Sequence, residues 1–175
     1  LRGIGTLDPH VDTLAATRRI HVALDRAVTD AVLTRLPALY GSGAADGLLT
    51  ALTLAAARWD HGAERSLLLT LEGHGRDLDT PDPADLARTV GWFTSAYPVR
   101  LAVTGDLDDA LAGGSAATAA VKAVKEQLAA VPNHGIGYGI LRYLDDETGS
   151  VLADLPASQL SFNYLGRLTS GHIPD

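Results

Sequence analysis

Apolar and polar residues follow one another along the chain in patterns that predict strands and helices in turn. Residues 67–71 are four leucines and one threonine, an apolar run whose length is typical of a strand buried on both faces. Glu72 follows this run directly, and Gly73 and Gly75 then end the strand. Alternation places Thr70 and Glu72 on one face of the strand. We therefore expect Glu72 at the carboxyl end of a buried strand, the edge at which open α/β sheets tend to bind ligands. The pattern alone favours the alternative that Glu72 is a loop residue whose carboxylate caps a backbone amide.

Alternation with a period of two predicts further strands. Residues 18–24 alternate between apolar residues and polar or small ones, the pattern of a half-buried strand. Residues 97–103 and 160–168 are predicted as the remaining strands. In the last of these, Asn163 and Tyr164 are consecutive, so we expect their side chains to point to opposite faces.

Apolar residues at helical spacing predict the connecting helices. Thr29 is a suitable N-cap for a short helix, and Pro37 disturbs the end of that helix. Residues 44–59 and 115–130 are predicted as longer helices. The predicted buried face of the first consists of Leu48, Leu52, Ala55 and Trp59, and a last helical face consists of Ile136, Ile140, Leu141 and Leu144, followed by an acidic turn over residues 145–149. This alternation of strands and helices predicts an α/β or α+β fold.

Composition and charge narrow the classes of protein that remain. The chain has 175 residues, 46% of them apolar and 20% charged, which is typical of one globular domain with its own core. The formal net charge of −7, with scattered Lys and Arg, argues against a nucleic-acid partner. No apolar run is long enough to cross a bilayer, so we expect no membrane partner. The absence of cysteine excludes disulfides and thiolate metal sites and favours a cytoplasmic protein.

The start of the chain and its histidines add two further expectations. Residues 1–17 are polar and turn-rich, and they are predicted to be a linker or the tail of a preceding unit. Because the first residue is Leu and not Met, we expect that the chain begins inside a longer one. The six histidines show no metal-ligand spacing, so we expect no metal site.

Four motifs follow one another along the chain. They are Glu-Gly-His-Gly-Arg at residues 72–76, Arg-Thr-Val-Gly-Trp-Phe-Thr-Ser-Ala-Tyr-Pro at 88–98, Gly-Ile-Gly-Tyr-Gly at 135–139 after Pro132, and Phe-Asn-Tyr-Leu-Gly at 162–166. In this order they resemble the C-terminal lobe of condensation-superfamily domains of nonribosomal peptide synthetases. The first two motifs resemble the epimerization branch of that superfamily. Four motifs in order are more specific than any one of them, and the resemblance covers most of the chain after Arg18.

The resemblance implies an architecture similar to that of chloramphenicol acetyltransferase, in which two α/β lobes form a V-shaped tunnel. Residues 18–175 would then be the C-terminal lobe, incomplete at both ends. The N-terminal lobe of the superfamily carries two adjacent histidines, and no two histidines are adjacent in this chain. We therefore expect that this chain needs the missing N-terminal lobe and is inactive alone.

The resemblance also implies a reaction and a set of site residues. Epimerization domains invert the α-carbon of an aminoacyl or peptidyl thioester, which the phosphopantetheine arm of a peptidyl carrier domain delivers. Glu72 would act as general acid/base on one face of that carbon, opposite a histidine of the N-terminal lobe. Arg76, Asn163 and Tyr164 match other functionally important positions of the superfamily. No cofactor is implied beyond the phosphopantetheine arm, so the implied enzyme is a cofactor-independent amino-acid epimerase.

Two other functions and the role of Arg76 remain open. A condensation domain that forms peptide bonds would depend on the missing histidine motif, whereas the intact Glu-Gly-His-Gly-Arg favours epimerization. A noncatalytic condensation-like domain could instead recruit a partner enzyme, and a degenerate histidine motif in the missing lobe would favour that function. For Arg76, contact with the substrate and an ion pair with Glu72 or Asp77 are both left open.

Overall fold

The structure of the chain, a computed structural model, describes residues 8–76 and 88–166. These residues divide into two compact units. One unit consists of the chain up to Leu67 together with Leu101–Gln127, and the other of Leu68–Arg100 together with the chain from Leu128 onwards. Both helices and strands occur, which confirms the predicted mixed α/β class.

The described residues contain seven α-helices. They are α1 (Arg26–Asp30), α2 (Leu36–Tyr40), α3 (Ala44–Trp59), α4 (Leu107–Leu111), α5 (Ser115–Ala129), α6 (Tyr138–Tyr143) and α7 (Asp146–Ala153). The predictions for residues 44–59 and 115–130 are confirmed by α3 and α5. The predicted acidic turn is wrong, because the Asp145 carboxylate caps α7 by accepting a hydrogen bond from the Thr148 amide. None of the described helices has the length and apolar character needed to cross a membrane.

The helical stretch before α3 begins earlier than predicted. Asp25 and not Thr29 is its N-cap, since the Asp25 carboxylate accepts a hydrogen bond from the Val28 amide at 2.8 Å. Between α1 and α2 the chain forms a π-helical segment, Ala31–Arg35. Pro37 lies in the first turn of α2 and not at the end of the helix. Because proline lacks an N–H and crowds the carbonyl four residues earlier, the wider π-helical turn allows the chain to stay helical up to this point.

The buried face of α3 differs from the predicted one. It consists of Gly47, Leu49, Thr50, Thr53, Leu54 and Ala57. The predicted positions are half-buried or exposed, with Trp59 exposed by 72%. The hydroxyls of Thr50 and Thr53 donate to backbone carbonyls one turn earlier, which satisfies them inside the buried face. Hydrophobicity alone therefore predicted the wrong face, since it treats threonine as a surface residue.

Within the described residues, three strands form one sheet in the order β2–β1–β3. Their bounds are Ser66–Gly73 for β1, Ser95–Ala102 for β2 and Ser161–Asn163 for β3. The prediction of β1 is confirmed, and β2 begins two residues earlier than predicted. The third strand is shorter than predicted, and residues 167 and 168 of the prediction lie outside the described residues. β1 is the central strand, so both of its edges are paired.

The two neighbours of β1 run in opposite directions. β3 is parallel to β1, with Thr70 paired with Ser161. β2 is antiparallel, because the Val103 amide donates to the Arg65 carbonyl just before the first residue of β1. At the other end of β1, a Cβ on Gly73 would lie 3.2 Å from Ser95 Oγ. The sheet is therefore mixed, and its parallel pair is the one that needs a long connection between the two strands.

One face of the sheet is buried and the other is not. The buried side chains of β1 and β2 are Leu67, Leu69, Leu71, Val99 and Leu101. On the opposite face of β1, Thr70 is half-buried and Glu72 is exposed. Burial of β1 on both faces, as predicted, is therefore not found, whereas the predicted division of its residues between the faces is correct.

Residues 18–24 form no strand, contrary to the prediction. They are exposed, with Ile20 exposed by 88% and Val22 by 80%. No backbone hydrogen bond joins them to another described segment. Alternation leads to a strand only where a neighbouring strand offers hydrogen-bonding groups and a face to bury. The described residues offer neither to this segment, which is the physical reason for the wrong prediction.

The last predicted helical face is also wrong in part. Asn133, His134 and Gly135 have φ angles of 47°, 50° and 76°, a left-handed turn that delays the helix to Tyr138. The apolar residues on α6 are exposed, and Leu144, which follows it, is exposed by 80%. The helical spacing was therefore real, but the face that it defines is not covered by the described residues.

Candidate functional site

Glu72 lies near the carboxyl end of the central strand. It is the second-last residue of β1, and its side chain is exposed on the face opposite to the buried leucines. Asn163 is its register partner on β3, and Asn163 Nδ2 donates a hydrogen bond to Glu72 Oε2 at 2.9 Å. The structure thus brings together two of the four predicted site residues, which are 91 residues apart in the sequence.

This hydrogen bond orients the Glu72 carboxylate without enclosing it. An amide N–H group can only donate, so Asn163 Nδ2 occupies one lone pair of one carboxylate oxygen. In the described part of the chain, no side chain donates a hydrogen bond to Oε1 of Glu72. A carboxylate that is held at one oxygen and open at the other can exchange a proton with a molecule placed above this face of the sheet.

The loop after β1 is held by the segment before β2. Gly75 has a φ of +61°, and a Cβ at this position would lie 1.7 Å from the Phe93 carbonyl oxygen. Both the positive φ and the close backbone approach require glycine here. Since Gly73 and Ser95 also lie against each other, the first two sequence motifs are neighbours in space.

Arg76, the last residue of the first motif, contacts an aromatic ring of the second. Its guanidinium carbon lies 4.4 Å from the centroid of the Phe93 ring, which is cation–π geometry. The Arg76 amide also donates to His74 Nδ1 at 3.2 Å, and this bond closes the loop locally. No salt bridge joins Arg76 to Glu72 within the described residues. The alternative partner, Asp77, lies outside the described residues.

Tyr164, the fourth predicted site residue, directly follows β3 and is exposed by 37%. The structure brings Asn163 and not Tyr164 into hydrogen-bonding contact with Glu72. The expectation that Asn163 and Tyr164 point to opposite faces stays a prediction, because Tyr164 lies beyond the last residue of β3. The catalytic roles of Glu72, Arg76, Asn163 and Tyr164 stay predictions.

Two residues of the second motif contribute contacts that the sequence reasoning did not identify. The backbone carbonyl of Phe93 lies against Gly75, and the ring of Phe93 stacks on the Arg76 guanidinium. Tyr97 packs its ring against Gly135, where a Cβ would lie 2.2 Å from a ring carbon. Burial raises the pKa of the Tyr97 hydroxyl. The available signal was that both are aromatic residues inside a matched motif.

The described residues hold no metal-binding cluster, and their polar cavity is lined by residues that interact with one another or with the backbone. In that part of the chain, no group of three or more His, Asp or Glu residues is placed to hold a metal ion. A polar cavity of about 530 Å³ in the first unit is lined in part by Arg58, Arg65 and Asp108. Arg58 already pairs with Asp108 at 3.0 Å, and Arg65 donates to the Gly105 carbonyl. Arg58 and Asp108 are therefore paired with each other, and Arg65 is hydrogen-bonded to the backbone.

Comparison with known proteins agrees with the geometry. The condensation domain family matches residues 7–173. The chain is 46% identical over 153 residues to a linear gramicidin synthase of Brevibacillus parabrevis, with 87% of this chain and 2% of the synthase covered. It is 47% identical over 154 residues to chondramide synthase cmdD of Chondromyces crocatus, with 88% of this chain and 4% of the synthase covered.

A solved structure shows the same kind of fold. The crystal structure of the epimerization domain from the third module of tyrocidine synthetase B matches with a TM-score of 0.56 and 38% identity. The match covers 70% of this chain and 25% of that one. The mixed sheet and the helices of the chain are thus those of a condensation-type domain with a chloramphenicol-acetyltransferase-like fold. The chain belongs to the condensation domain family, an enzymatic family of nonribosomal peptide synthetases.

Proposed function

We propose that this chain is part of an epimerization domain, which inverts the α-carbon of an aminoacyl or peptidyl thioester. The observation that carries the proposal is the exposed Glu72 carboxylate at the end of β1, oriented by Asn163 from the neighbouring strand. The similarity to the epimerization domain of tyrocidine synthetase B supports it, at 38% identity. The intact Glu-Gly-His-Gly-Arg motif supports it as well.

Inversion requires one proton transfer on each face of the α-carbon. In the proposed reaction, Glu72 takes the α-proton, and the electron pair of the broken C–H bond moves into the thioester to form an enolate. A proton then returns to the carbon from an acid on the opposite face, and the enolate electrons form the new C–H bond. We assign this second group to a histidine of an N-terminal lobe, as the resemblance implies, since histidine has the required chemistry.

The other site residues have supporting roles in this proposal. Asn163 holds the Glu72 carboxylate in one orientation through its 2.9 Å hydrogen bond. The Arg76 guanidinium, stacked on Phe93, is a cation in the loop that follows Glu72, and it can stabilise developing negative charge on the substrate. The Tyr164 hydroxyl can donate a hydrogen bond to the enolate oxygen. All three act on a substrate that a carrier domain presents.

The proposed partner is a peptidyl carrier domain that delivers the substrate on its phosphopantetheine arm. The curated relatives named above are synthases of which this chain covers 2–4%. Each of these synthases is therefore many times longer than this chain, and its remaining length can accommodate carrier domains. We propose no bound cofactor and no metal, because acid/base transfer by side chains is sufficient for this inversion.

The test is Glu72→Gln in the complete synthetase, with Glu64→Gln as the matched control. Glu64 is an exposed carboxylate shortly before β1, so the same change there removes a charge without touching the site. General acid/base groups contribute about 10²–10⁴-fold to rate, and we expect a loss of that size for Glu72→Gln alone. The measurements are exchange of the α-proton in deuterated water and the chirality of the thioester product.

The alternatives predict other outcomes of this experiment. If folded Glu72→Gln inverts the α-carbon at the parent rate, Glu72 is not the acid/base residue and the proposal fails. A parent synthetase that forms peptide bonds across this domain without inverting the donor would identify a condensation domain. Slow exchange without inversion in the variant would instead support the two-sided mechanism, since the opposite base would still act alone.

A further inference from the structure

The antiparallel register of β1 and β2 continues beyond the last residue of β1. Two contacts define the register of this strand pair, Arg65 with Val103 and Gly73 with Ser95. Gly75 lies against Phe93 in the same register. Because the register is the same at both ends, no bulge interrupts the pair. Each residue between these contacts therefore has one partner on the other strand. The partner of Glu72 on β2 is Ala96.

Burial along the two strands supports this pairing. On β2, Val99 and Leu101 are buried, as are their partners among the β1 leucines. Ala96 and Pro98 are exposed, as Glu72 is on β1. Directly opposed residues of an antiparallel pair share a face. Ala96 and Glu72 therefore lie side by side on the exposed face of the sheet.

The surroundings of the Glu72 carboxylate differ on its two sides. On the β3 side, the Asn163 amide fills the neighbouring position and binds Oε2. Along β1, the next residue on the same face, Thr70, shares a hydrogen bond with Ser158. On the β2 side stands the single methyl group of Ala96, whose Cβ is about 4.5–5.5 Å from that of a directly opposed residue. The space beside the carboxylate therefore lies above Ala96.

We propose that Ala96 sets the size of the substrate side chain that Glu72 can serve. This inference rests on the proposed function. To give up its proton, the α-carbon must come close to the Glu72 carboxylate, and its side chain then lies among the neighbours of Glu72. A methyl group at position 96 leaves room for an aromatic or branched side chain. The preferred substrates are thus thioesters of bulky amino acids.

The experiment compares Ala96→Leu and Ala96→Ser in the complete synthetase. The carrier domain is loaded with either a phenylalanyl or an alanyl thioester, and kcat/KM for inversion is measured for both. We expect Ala96→Leu to reduce the ratio of phenylalanyl to alanyl activity by about tenfold or more. Ala96→Ser, which keeps the side chain small, should leave this ratio unchanged. Ala96→Val should give an intermediate ratio.

The ratio of phenylalanyl to alanyl activity in Ala96→Leu decides whether Ala96 sets the size of the substrate side chain. An unchanged ratio in Ala96→Leu, or an equal loss with both thioesters, would overturn the size-setting role. Because Ala96 is exposed, a larger side chain extends into open space and the fold should persist, which circular dichroism checks. Glu72→Gln measured in parallel separates this inference from the proposed function. Failure of that variant to lose activity contradicts the acid/base role, whereas an unchanged ratio alone contradicts only the role of Ala96.

Discussion

At the scale of single residues, two separate features disfavour any side chain at Gly75. One is the left-handed backbone conformation and the other is a steric clash. Gly75 combines a positive φ of +61° with a carbonyl oxygen 1.7 Å from where a Cβ would lie. Gly62 is a suitable control, because its φ is +74° but nothing lies within 4 Å of a Cβ there. Both glycines have a positive φ, but only at Gly75 would a Cβ clash with a neighbouring residue.

We therefore expect Gly75→Ala to destabilise the protein more than Gly62→Ala does. A left-handed backbone costs a residue with a side chain about 1–2 kcal/mol, and both variants carry this cost. Gly75→Ala must in addition move the Phe93 carbonyl and with it the loop that carries Arg76. Urea unfolding of both variants measures the difference in free energy. Equal losses would show that the contact with Phe93 is not constraining.

The site residues show how far single positions can be predicted from sequence. Glu72 could be placed at the end of a strand because the leucines before it and the glycines after it give a local signal. The hydrogen bond from Asn163 to Glu72 could not be predicted, since no local pattern specifies a partner 91 residues away. The stacking of Arg76 on Phe93 was missed for a different reason. The ion-pair alternative considered only charges, whereas the contact found is with a ring.

At the scale of elements, the cap of α7 leads to a prediction about acid stability. The Asp145 carboxylate accepts a hydrogen bond from the Thr148 amide at 2.6 Å. This bond and one from the Thr148 side chain lower the pKa of Asp145. A lowered pKa in the folded state means that the stabilisation is present above the unfolded pKa of about 3.9. It is lost as the pH falls from there through the folded pKa.

Two variants separate the charge of this cap from its hydrogen bond. Asp145→Asn keeps a good capping oxygen but cannot ionise, so we expect a weaker loss of thermal stability below about pH 4 than in the parent. Asp145→Ala lacks the cap and should be less stable at neutral pH as well. Thermal unfolding followed between acid and neutral pH tests both. An identical acid slope in the parent and Asp145→Asn would exclude Asp145 as a contributor.

The elements differ in how well the sequence predicted them, and the differences have physical causes. The bounds of α3 were found because a glycine turn precedes it and strong helix formers fill it. The buried face of α3 was not predicted, because Thr50 and Thr53 lie on it and their hydroxyls donate hydrogen bonds to the backbone of the same helix. Residues 18–24 have the alternation of a strand, but strand formation depends on a neighbour and not on the segment alone.

At the scale of the whole molecule, ordered motifs were more informative than composition. The charge of −7 and the lack of cysteine only removed classes of protein. The four motifs identified the family that the match over residues 7–173 then showed. The division into residues 1–17 and 18–175 stays a prediction. The match covers 25% of the solved epimerization domain chain, and the need for an N-terminal lobe in the proposed inversion stays a prediction.

The proposed chemistry makes a prediction for the complete synthetase. With a carrier domain already loaded with aminoacyl thioester, inversion should proceed at the same rate after exhaustive dialysis against EDTA. The reason is that both proton transfers are assigned to side chains. Re-addition of magnesium or zinc to the dialysed protein is the control. Loss of inversion on chelation, restored by one of these ions, would contradict the proposed mechanism.

The parallel pairing of β1 with β3 also determines when the site forms during folding. Helices of local sequence, such as α3 and α5, can form early, because their contacts close only short loops. Glu72 acquires its partner only after the 91-residue separation from Asn163 has been closed, a step that loop-closure entropy slows. In refolding experiments, we thus expect helical circular dichroism to recover before the ability to invert a substrate. On the ribosome, the Glu72 strand is made before β3 and stays without its amide partner until Asn163 has emerged.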